Sequence, residues 1–75
     1  MENAELDHLR FKYKAAVDRW IAAIRAEEDL ATPDHSMVAV EKWDLANFAE
    51  QDAREAAKAA RQEYADALRQ VLYNF

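Results

Sequence analysis

The chain contains no glycine, and Pro33 is its only proline. Strands and the tight turns between them lean on Gly, Pro, Asn and Asp, so a chain without glycine has little with which to build a sheet. Seventeen alanines, together with Glu, Arg, Gln, Lys and Leu, supply the residues of highest helix propensity instead. An all-α fold is therefore expected, and its breaks should fall near Pro33.

Periodicity agrees. Leu6, Leu9, Tyr13, Val17, Trp20 and Ile24 recur at steps of three or four, which is one face of an α-helix. Thr32-Pro33-Asp34 then reads as a new helix start: Thr32 as cap, Pro33 in the first helical position, Asp34 at the positive end of the dipole. The expected domain spans 1–75 as a single antiparallel hairpin, with a helix over about 2–30, a turn at 31–33 and a second helix over about 33–73.

The inner stripe of the second helix reads Ala46, Ala49, Ala53, Ala56, Ala57 and Ala60, then Tyr64, Ala67, Leu68, Val71 and Phe75. A tight turn would set Tyr13 opposite Glu50, Leu6 opposite Ala57, and Trp20 level with Trp43. Large side chains on one helix then meet methyl groups on the other, allowing the axes to approach to the low end of the usual range of about 8–10 Å.

In that register residues beyond about 61 have no partner on the first helix, yet they include Tyr64, Leu68, Val71, Leu72, Tyr73 and Phe75. Met37, Val40, Trp43 and Phe48 also fall off the inner stripe, as does Phe11 on the first helix. Apolar surface on this scale calls for a partner, and two hairpins related by a two-fold axis would close it as a four-helix bundle. Phe11, Trp43, Phe48, Tyr64, Leu68, Val71, Leu72 and Phe75 are the expected oligomer or partner contacts.

A chain of 75 residues is short for a self-sufficient core, and without cysteine it has neither disulfides nor thiolate metal sites. The formal net charge of −5, with scattered bases, disfavours a nucleic-acid partner. The charged N-terminal stretch is unlike a secretory signal, and no apolar run reaches the roughly 20 residues of a membrane span, so a cytoplasmic location is expected.

Candidate chemistry is sparse. Glu5 and His8 form a Glu-x-x-His pair, the spacing with which ferritin-like bundles hold a metal, although both point away from the inner stripe. Glu27, Glu28 and Asp29, with Asp34 and His35 across the turn, gather acids at a helix C-terminus against the dipole. A hard cation would relieve them, but the EF-hand pattern is missing, and a helix that ends one turn early with its acids in water is the preferred reading. Ser36 and Thr32 are the only hydroxyl nucleophiles besides tyrosine, and their positions suit capping. Glu50 with Arg54, Glu55 with Lys58 and Asp66 with Arg69 read as ordinary pairs on an exposed face.

The expectation is thus a non-enzymatic helical interaction or scaffold module, working as a homodimer, with an unidentified protein partner and no cofactor. The alternatives are a metal-binding ferritin-like mini-bundle, or a hairpin dimer of Rop-type architecture that binds RNA through Arg10, Lys12 and Lys14.

Overall fold

The structure is a computed structural model that describes residues 4–73. Helix α1 spans Ala4–Asp29 and helix α2 spans Met37–Tyr73, and the two pack against each other as a hairpin 57 Å long and 17 by 13 Å across. Both are expected from the sequence. The connection between them is not.

α1 ends at Asp29, where Glu27, Glu28 and Asp29 crowd the negative end of the dipole and no base occupies the last turn. With no glycine to adopt a left-handed cap, the end tightens instead: the Leu30 N–H donates to the Glu27 carbonyl and that of Ala31 to Glu28, at 3.1 and 3.0 Å.

α2 begins at Met37, four residues later than the Pro33 start that the sequence suggests. Thr32 and Asp34 have other work. The Asp34 N–H donates to Thr32 Oγ1 at 3.3 Å, and Asp34 Oδ1 accepts from the Ser36 N–H at 2.9 Å. These side-chain turns hold residues around Pro33 out of the helix. Ser36 is the cap: its Oγ accepts from the Ala39 N–H at 3.2 Å, and its carbonyl accepts the first helical bond, from Val40, at 3.0 Å.

The longer connection changes the register. Tyr13 stacks on Tyr64, ring centroids 6.1 Å apart, fourteen residues further along α2 than Glu50. Trp20 reaches Glu50, seven residues past Trp43, with its Nε1 donating to the carboxylate at 3.3 Å. At 1.5 Å per residue the helices are therefore slid by about 10–20 Å from the tight-turn arrangement. Leu30, Ala31 and His35 of the connection border a cleft shared with Ala39, Val40 and Trp43, so the connecting chain lies along the first turns of α2.

The core is small. Ala16, Ala57 and Ala60 are 5%, 3% and 3% exposed and are the only buried residues described, with Tyr13, Val17 and Trp20 packed on them. Large against small is the expected complementarity, and it is what brings the backbones together. No large side chain is fully buried among the described residues.

Candidate functional site

Twelve large apolar side chains stay exposed among the described residues, against three buried alanines. That imbalance makes the apolar surface itself the candidate site, since scattered single exposures are normal but contiguous ones are not.

Its densest part is the N-terminal half of α2. Met37, Val38, Leu45 and Phe48 recur so that they fall on the side away from α1, and Val40 and Trp43 lie on a flank beside the connection. On α1, Ile21 and Ile24 are exposed in line with half-buried Val17, one step round from the inner stripe, and Phe11 stands apart on the outer side. At the other end Val71, Leu72 and Tyr73 are exposed.

Of the expected contact residues, Phe11, Trp43, Phe48, Val71 and Leu72 are exposed, Trp43 only to 37%. For Tyr64 and Leu68 it is the expected overhang that is corrected. Both are half-buried, and Tyr64 has a partner on α1 in Tyr13, because the slide brings α1 alongside the segment that a tight turn would have left overhanging. Phe75 lies outside the described residues. Ile21, Val38 and Leu45 escaped the sequence reading; Ile21 was signalled by its step of four from Val17, which marks a second stripe beside the first. Ile24 falls on the inner stripe by period but is 40% exposed.

Among the polar candidates, Thr32, Asp34 and Ser36 have local roles. Glu5 and His8 are both exposed in the first turns of α1, and the described residues contain no group of three or more His, Cys, Asp or Glu placed to hold a metal ion. At the acidic tip Asp34 is committed to Ser36, whose Oγ donates to its second carboxylate oxygen at 3.2 Å, while Glu27 Oε2 is buried without a hydrogen-bond partner. The hydroxyls of Thr32 and Ser36 serve the connection.

Glu50 is also a correction. It sits between the helices, not on the solvated face, because Trp20 binds it from α1 while Arg54 Nε pairs with it at 3.6 Å. The other two intrahelical pairs form as read, Lys58 with Glu55 at 3.5 Å and Arg69 with Asp66 at 3.4 Å. Of the three bases in the RNA-binding alternative, Arg10 pairs with Asp7 at 3.5 Å on the exposed surface, and Lys12 crosses to Glu63 at 3.2 Å.

No helix described is long and apolar enough to cross a membrane. No family model matches the chain, and neither a curated protein nor a solved structure matches it.

Proposed function

We propose that the chain is a non-enzymatic helical module that acts as a homo-oligomer, two hairpins closing into a four-helix bundle that serves as a scaffold for another protein. The observation that carries this reading is the accessible surface. The hairpin exposes 6089 Å², whereas a compact chain of 8.7 kDa exposes about 4,700 Å².

A surplus of about 1,400 Å² exceeds the roughly 800 Å² that each partner contributes to a standard protein interface. Two copies merged into one compact body of twice the mass would expose about 7,900 Å², so up to about 4,300 Å² would be removed in total. This falls inside the range of obligate homodimers, about 2,000–5,000 Å². A core of three alanines among the described residues gives the same message, because full burial of one Leu, Ile or Phe contributes about 1.5–3 kcal/mol and none of those described achieves it.

The non-enzymatic part is supported by the use of Ser36 and Thr32 as turn and cap residues, which leaves no hydroxyl paired with a base among those two. Multi-angle light scattering tests the assembly step. A particle of twice 8.7 kDa at micromolar concentration is expected, and a particle of one chain refutes the reading.

A further inference from the structure

Charge is divided along the hairpin's long axis. From the Trp20–Glu50 level to the connection, residues 20–50 hold seven acids and two bases, a net of −5. Among the described residues the open end, 4–19 and 51–73, holds seven acids and eight bases, a net of +1. A two-fold dimer with both connections at one end would lay two strongly negative halves side by side. With connections at opposite ends, each negative half lies instead along a nearly neutral one that carries most of the bases. Screening over about 8–10 Å limits what this adds to affinity, but orientation is the property such complementarity sets.

The same division picks out one broad face. The Lys12–Glu63 pair marks one side of the hairpin. At about 100° per residue, the opposite side receives Val17, Ile21 and Ile24 from α1, with Val40 and Trp43 from α2, all toward the connection. Further along that side come Arg10 and Lys14, then Arg54, Lys58 and Arg61. At the negative end it is mainly apolar, with Glu28 and Asn47 on the same side, and at the other end it is cationic with long aliphatic stems. Folded onto its own two-fold copy, the Trp43 end meets those stems and cations, a pairing that suits an indole face.

We infer that this face takes a second copy of the same chain in antiparallel orientation, with the two connections at opposite ends of the bundle. The inference rests on the self-association proposed above and adds its direction and its surface. Trp43 and Ile21 are central to the interface, and the Lys12–Glu63 side faces away from it.

The chain has no cysteine, so His35→Cys provides a unique spin-labelling site on the exposed connection. Antiparallel pairing places the two labels about 50 Å apart, close to the rise of the 37 residues of α2 and to the 57 Å length. Parallel pairing would place them within about 25 Å, given helix spacings of about 8–10 Å. The long distance is the expected result. A short distance in a dimer overturns the orientation and leaves self-association standing, whereas no dipolar coupling in a particle of single-chain mass overturns both. Ile21→Glu tests the face: loss of the dimer is expected, with or without loss of helix, while Arg19→Glu on the other side retains it. A dimer that survives Ile21→Glu, or one that both substitutions abolish, overturns the assignment of this face.

Discussion

Replacing Ala57 with leucine tests whether the methyl cluster governs how the helices meet. Ala57 is 3% exposed, flanked by Ala60 at 3% and Ala16 at 5%, and enclosed by Tyr13, Val17 and Trp20. A larger side chain has no solvent channel to enter. It must either displace Val17 or push the axes apart, and moving the axes breaks the Tyr13–Tyr64 stack and the Trp20–Glu50 hydrogen bond, the latter already at 3.3 Å. Overpacking of this kind costs about 1–3 kcal/mol. A middle value of about 2 kcal/mol lowers the melting midpoint of a domain this size by about 8–16 °C. The matched control is Ala59→Leu, the same exchange two residues on at an exposed position, where alanine and leucine differ little in helix propensity. Thermal melts followed by far-ultraviolet circular dichroism, at one fixed protein concentration because assembly adds to apparent stability, compare the pair. A midpoint for Ala57→Leu that matches the Ala59→Leu control would refute the assignment of this cluster as the point of closest approach.

The connection and the interhelical polar contact give further checks. Ser36→Ala removes the acceptor for the Ala39 N–H and is expected to cost about 1 kcal/mol, with Ser36→Asp restoring stability; an unchanged melt for the alanine variant would mean that Ser36 is not the cap. Trp20→Phe deletes the donor to Glu50 while keeping an aromatic ring, and a double-mutant cycle with Glu50→Gln is expected to show coupling of about 0.5–1.5 kcal/mol; additive effects would show that the contact contributes nothing.

Helix, and almost its whole extent, was legible in the sequence because both determinants are local. Glycine is absent, and apolar residues repeat at the helical period along Leu6 to Ile24 and again along the alanine stripe. Pairs three and four residues apart were legible for the same reason. The start of α2 was misplaced because Thr32 and Ser36 are both competent caps, and the choice depends on where Asp34 spends its carboxylate, which is on Ser36. That choice lengthened the connection and carried the candidate site with it. Tyr64 moved from the unpartnered set into a contact with Tyr13, and Glu50 from the solvated face to a position under Trp20.

What the sequence determined alone is the pair of amphipathic helices and the rule that bulky side chains on one meet methyl groups on the other. How far one helix is slid along the other was decided only by tertiary structure. A stripe of near-identical alanines accepts a helix at several levels one turn apart, so periodicity leaves the level open. It is settled by the few contacts that cannot be duplicated elsewhere: the Ser36 cap, the Tyr13–Tyr64 stack and the Trp20 hydrogen bond to Glu50.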